Sequence, residues 1–175
     1  MLALAAWTAP AAAQEAPPVT VAEHRGFLGG GILLASDQFV DAGFAAEGSV
    51  AIPKTPLSVF VLGSLGSASD IGGRGEFARV AGGLEASTCR STRTCVFAGL
   101  EVGFQRQTWH DEDDDLMVEH HRGVLVGPRF GFETGGQAVR FRMSLDLLQY
   151  RHQSSVDDTR WQGSSGITLA VIRRI

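Results

Sequence analysis

Three groups of side chains in this sequence are of types that do chemistry. Cys89 and Cys95 flank a polar turn in STCRSTRTC, and they are the only 2 cysteines. No second Cys or His cluster lies nearby at metal-ligand spacing. The pair therefore reads as a disulfide across a hairpin, where opposed strand ends bring Cα atoms within bonding range. A bridge of that kind needs an oxidising compartment such as a bacterial periplasm or a cell surface. The second group is the acidic run HDEDDD, His110 to Asp115. Asp111, Asp113 and Asp115 alternate like the opening of a calcium loop. Leu116 then stands where that loop wants Gly, and Arg122 where it wants Glu. The run reads as a solvated outer loop, with a loose divalent-cation site as the alternative. The third group is His152 and Ser154, in Tyr-Arg-His-Gln-Ser-Ser, with Asp157 and Asp158 close behind. His120 and His121 are adjacent, so on a strand they face opposite sides and share no metal. None of these residues is assigned as catalytic, cofactor-binding or metal-ligating.

The elements that position these groups are strands. Ala138 to Tyr150, AVRFRMSLDLLQY, sorts two residues at a time into two faces. Val139, Phe141, Met143, Leu145 and Leu147 fall on one side. Arg140, Arg142, Ser144 and Asp146 fall on the other, until Leu148 breaks the pattern. Period two is the mark of a half-apolar strand, and the length suits the roughly 9–11 residues a tilted strand needs to cross a bilayer. Seven further strands are expected: Phe27 to Ala35, Gly43 to Ile52, Leu57 to Gly66, Phe77 to Ser87, Val96 to Gln105, His120 to Phe132 and Gly163 to Arg173. Leu57 to Gly66 has poorly distinguished faces. Pro128 lies inside its run, where proline demotes a strand or marks a bulge. The connections alternate. Pro53 to Pro56, the cysteine turn and Glu133 to Gln137 are short. Ser36 to Asp41, Ser67 to Glu76, Gln107 to Glu119 and Arg151 to Gln162 are longer and polar. Trp109, Trp161 and Tyr150 stand near strand ends, where interfacial aromatic girdles lie.

Eight antiparallel strands with alternating faces fit two architectures. A soluble ligand-binding barrel turns the apolar face inward, and a membrane barrel turns it outward. The polar faces carry Glu47, Arg79, Glu85, Glu101, Arg129, Arg140, Arg142 and Asp146, four arginines against four carboxylates. A narrow lumen lets such charges pair, while the opposite faces are nearly uncharged, as lipid requires. Lys54, in a turn, is the one clear lysine, which is unlike a water-facing surface. The expectation is an all-β, eight-stranded antiparallel up-and-down transmembrane barrel. The alternative is a soluble periplasmic barrel that lines an apolar ligand cavity with Val139, Phe141, Met143, Leu145 and Leu147. Leu125 and Leu148 are apolar on nominally polar faces, which raises a shear or a register error.

Bulk properties agree. The 175 residues suffice for one domain, and 44% hydrophobic content is ordinary because only alternate residues of a membrane barrel meet lipid. Net charge of −4 gives no basic field for nucleic acid, so that class is excluded. Residues 1–13 resemble the end of a secretion signal, with Ala11-Ala12-Ala13 before Gln14 as the cleavage site and the true start expected upstream of Met1. Residues 14–26 form a polar lead-in, and residues 27–175 the barrel.

On these features the chain resembles the small eight-stranded outer-membrane barrels of Gram-negative bacteria, over about Phe27 to Ile175. The resemblance implies an outer-membrane location after export through the periplasm. It implies outer-membrane lipid, lipopolysaccharide and the outer-membrane assembly machinery as partners, no cofactor, and a non-enzymatic structural or surface-interaction role with long outer loops. Many such proteins end in an aromatic residue; this chain ends Val171-Ile172-Arg173-Arg174-Ile175. His152 and Ser154 also resemble the active-site region of the lipid A deacylase barrels, in which a His acts as base for a Ser nucleophile. That similarity gives a membrane hydrolase as the alternative function. A cation held by the acidic run would, in this setting, bridge lipopolysaccharide phosphates.

Overall fold

A computed structural model describes residues 26–36, 40–70, 73–111, 118–153 and 160–175. They form eight strands: β1 (Gly26–Ser36), β2 (Val40–Ala51), β3 (Leu57–Asp70), β4 (Gly73–Cys89), β5 (Thr94–Asp111), β6 (Val118–Gly135), β7 (Val139–Gln153) and β8 (Arg160–Arg174). Each pairs antiparallel with its neighbours in the chain, and β8 closes on β1 through pairs such as Ile32 with Leu169. Closure leaves no strand edge open to a further strand.

The period-two pattern sets what faces where. On β7, Val139, Phe141, Leu145 and Leu147 are exposed, while Arg140, Arg142, Ser144 and Asp146 are buried inside the barrel. Phe44, Val61, Leu65, Val80, Leu84, Leu100, Val102, Phe104, Val126 and Val171 continue the exposed apolar belt around the other strands. This corrects the soluble alternative: Val139, Phe141, Leu145 and Leu147 line no cavity, because the apolar face is the outer one. Leu100, at 69% exposure, shows how completely the usual partition is inverted. Water does not tolerate so continuous an apolar surface, and hydrocarbon does.

Several expectations at the strand level change. The stretch 67–76, expected as a loop, is largely ladder, and so are the described ends of 107–119 and 151–162. β3 and β4 run to Asp70 and from Gly73, and β5 and β6 to Asp111 and from Val118. Their polar composition reflects strand faces above the apolar belt, not a broken ladder. At 18 residues each, β5 and β6 greatly exceed the roughly 9–11 that cross a bilayer. Pro128 makes no bulge. The pairs Val126 with Gln149 and Arg129 with Asp146 keep one register on either side of it, and only the ladder rungs between them are missing. Leu125 and Leu148 are not register errors, since with Tyr150 they form a buried apolar cluster inside the barrel. β3 has indistinct faces because Phe60 and Leu62 point inward while Val59, Val61 and Leu65 point out. The expected turn at Pro53 to Pro56 joins β2 to β3, with Lys54 in the left-handed region at φ 63°.

Candidate functional site

The interior is a connected chain of ion pairs. Arg79 reaches Glu101 directly and Asp146 at 3.7 Å. Asp146 meets the Nε of Arg129 at 3.2 Å, and a terminal nitrogen of Arg129 donates to Glu47 at 2.9 Å. Glu47 also meets Arg142 at 3.2 Å, and Arg142 goes on to Glu85 and, at 2.5 Å, to Glu133. Arg174 ends the chain on Glu133 at 2.7 Å. Four arginines and five carboxylates thus run along the lumen without a break, and β2, β4, β5, β6, β7 and β8 each contribute. Guanidinium fork geometry suits this task, because one Arg can bridge two carboxylates in fixed directions.

Aromatic rings fill the space between the ions. The Arg129 guanidinium lies 4.7 Å from the Phe60 ring centre, and Arg142 lies 3.6 Å from Phe97 and 4.6 Å from Phe27. Planar cations lie on the ring faces, where the negative π surface attracts them. At the end where β1 begins and β8 finishes, a cavity of about 30 Å³ is lined by Phe27, Ser49, Glu85 and Glu133 among others. That is room for a water molecule or two rather than a solute. Paired ions and stacked rings occupy the described lumen.

All eight charged residues expected on the polar faces are buried inside, and seven of them join the network. Arg140 does not pair with a carboxylate. It donates to the carbonyls of Gly136 at 3.2 Å and Thr92 at 2.5 Å, and contacts Cys95 Sγ at 3.2 Å. Glu133 and Arg174 belong to the network although sequence reasoning assigned the first to a turn and left the second past a strand end. Their shared alternation with Arg129 and Ile172 was the available signal.

The disulfide between Cys89 and Cys95 is formed, joining β4 to β5 at a directly opposed pair. His120 is exposed and His121 buried, on opposite faces as expected. Of the expected aromatic girdle, Trp161 is exposed on the outer face. Tyr150 is instead buried in the lumen beside Leu125 and Leu148, and Trp109 is half-buried against Gly75. Tyr150 shares the parity of Asp146 and Leu148, which turns it inward wherever the strand ends. His152, next to last in β7, stands opposite Gly123 and Arg160; its side chain, Ser154, Asp157 and Asp158 lie outside the described residues. So do residues 112–115 of the acidic run, the two residues after it and the whole of residues 1–25. Among the described residues no group of three His, Cys, Asp or Glu side chains is arranged to hold a metal.

An apolar exterior around a salt-bridged interior defines the class: an eight-stranded transmembrane β-barrel of the outer-membrane type. No protein-family model matches the sequence, and no curated protein matches it. Solved structures do match the fold. Neisserial surface protein A aligns with a TM-score of 0.60 and 10% identity, over 86% of this chain and 96% of that one. The attachment invasion locus protein Ail of Yersinia pestis aligns at 0.58 and 10% identity, over 88% of this chain and all (100%) of its own. A major outer membrane protein from Thermus thermophilus aligns at 0.54 and 11% identity, over 88% and 100%. At these identities the likeness is one of fold.

Proposed function

We propose that this chain is an exported outer-membrane barrel with a structural or surface-interaction role and no catalytic activity. The observation that carries the reading is the inverted partition of side chains, with Leu100 and Phe44 outside and Arg129 and Asp146 inside. A plug of ion pairs conducts no solute, so the useful surfaces are the belt and the strand extensions beyond it. The three tight turns, the start of β1 and the end of β8 share one end of the barrel, which an even-stranded barrel presents to the periplasm. The extended ladders of β4 to β6 then face the outside, among outer-leaflet lipid and lipopolysaccharide. An oxidising periplasm suits the Cys89–Cys95 bridge, and passage through it calls on an export signal and the assembly machinery.

The test is fractionation of expressing cells combined with gel mobility before and after boiling. Recovery in the outer-membrane fraction with a boiling-dependent shift is the expected result. Recovery as soluble periplasmic protein would sink the reading.

A further inference from the structure

Just beyond the apolar belt the outer surface changes abruptly. On β5 the outward sequence is Val102, Phe104, Arg106, Thr108; on β6 it is Val126, Val124, Arg122, His120; on β7 it is Leu147, Gln149, Arg151. Arg106 and Arg122 are directly opposed partners across the β5–β6 ladder. Arg151 pairs with Val124, one diagonal step from Arg122. All three arginines are exposed, and none makes an ion pair among the described residues. Glu76, diagonal to Arg106 through Ala78 and Thr108, is the one acidic side chain on this face of the adjoining β4 ladder.

Like charges placed directly opposite on neighbouring strands repel. The cost is tolerated here in a chain whose net charge is −4, and unlike Arg79, Arg129, Arg142 and Arg174 these three have no lumen carboxylate to meet. An anion between the guanidinium groups converts that repulsion into bidentate hydrogen bonding, for which Arg and phosphate oxygens are matched. The row's height selects the anion's source. It stands one residue step above Phe104 and Val124, where the headgroup of a lipid whose chains lie on the belt must sit.

We propose that Arg106, Arg122 and Arg151 form a binding site for the phosphate groups of a phosphorylated lipid in the outer leaflet. This deepens the outer-membrane reading and rests on it. Arg106 and Arg122 grip one phosphate between β5 and β6, and Arg151 extends the site toward β7.

The full chain is to be reconstituted in phosphatidylcholine vesicles doped with lipid A that either keeps or lacks its phosphates. Lipid retained after extraction is counted by native mass spectrometry, and boiling-dependent mobility checks folding in each sample. The wild-type barrel should retain the phosphorylated form roughly tenfold over the other. R106Q/R122Q/R151Q should erase the preference, and R106K/R122K/R151K should keep a reduced one. A second readout separates binding from packing. Arg106→Gln should raise or leave unchanged the urea midpoint in plain phosphatidylcholine, whose phosphodiester is neutralised by its own choline, and lower it relative to wild type when phosphorylated lipid A is added. Equal retention of both lipids by the wild type, or a folded glutamine variant that still prefers phosphate, overturns the site. A wild-type chain that enters no vesicle overturns the outer-membrane reading itself, whereas insertion without preference removes the lipid site alone.

Discussion

Arg129 and Glu47 stand 82 positions apart in the chain and meet at 2.9 Å across the lumen. Arg129 also donates to Ser144 at 2.8 Å and pairs with Asp146 at 3.2 Å, with its side chain wholly removed from solvent. One guanidinium therefore ties β6 to β2 and β7. Removing a single partner from a buried ion network leaves uncompensated charge, which costs about 3–5 kcal/mol. Arg129→Ala should lower the barrel's unfolding free energy by that amount in urea titrations in bilayers. A loss below about 1 kcal/mol would mean that Glu47 and Asp146 are screened by something other than Arg129.

The belt makes the opposite demand. Leu100 is exposed on the outer face in the middle of β5. Leu100→Arg should cost about 2–4 kcal/mol in a bilayer, the penalty for a cation near the midplane of a barrel's lipid face. Ser67→Arg, on an outward position of β3 beyond Leu65, should be nearly neutral. Equal effects for the two substitutions in refolding experiments would place both positions in the same solvent and remove the belt.

The strand count, the alternation and the inside–outside choice were legible because period two survives wherever one face meets hydrocarbon. Val139 to Leu147 displays it without interruption. It fades where both faces meet similar surroundings. Phe60 is apolar and inward because it stacks on Arg129, so β3 looks apolar on both sides. Above the belt both faces turn polar, as at Arg106 and Gln107, and composition then imitates a loop although the ladder continues. The pairing of charges is beyond sequence reasoning for a different reason. Which carboxylate meets Arg142 depends on the stagger of strands around the barrel, a relation that no local window contains. Glu133 shows this: it reads as a turn residue until β6 is seen to continue to Gly135.

The disulfide should prove secondary to the ladder. Cys89 and Cys95 are separated by 6 positions and already opposed in the β4–β5 register. On the chain-entropy model so short a loop contributes about 2 kcal/mol. C89S/C95S should therefore fold, keep its boiling-dependent mobility and unfold at modestly lower urea. The double variant should also keep Arg140 in place through its bonds to the carbonyls of Thr92 and Gly136. Failure of the variant to form a barrel would show that the bridge directs assembly.

Gly131 is a position where the lumen has no room for a side chain. A Cβ built there would lie 2.3 Å from the Phe97 ring and 2.1 Å from the carbonyl oxygen of Met143. The ring cannot retreat, because Arg142 stacks on it at 3.6 Å and is itself held by Glu85 and Glu133. The carbonyl cannot retreat without disturbing the β6–β7 ladder, in which Phe132 pairs with Met143. Gly131→Ala should consequently destabilise the barrel by more than an ordinary strand glycine exchange, which is worth roughly 0.5–1 kcal/mol and normally favours alanine. Gly163, with nothing within 4 Å of its added Cβ, is the matched control and should accept alanine without loss. Refolding yield and urea midpoint of the two variants decide the matter. If Gly131→Ala is as stable as Gly163→Ala, Phe97 is free to move and the stacked arginine plug is looser than its ion pairs require.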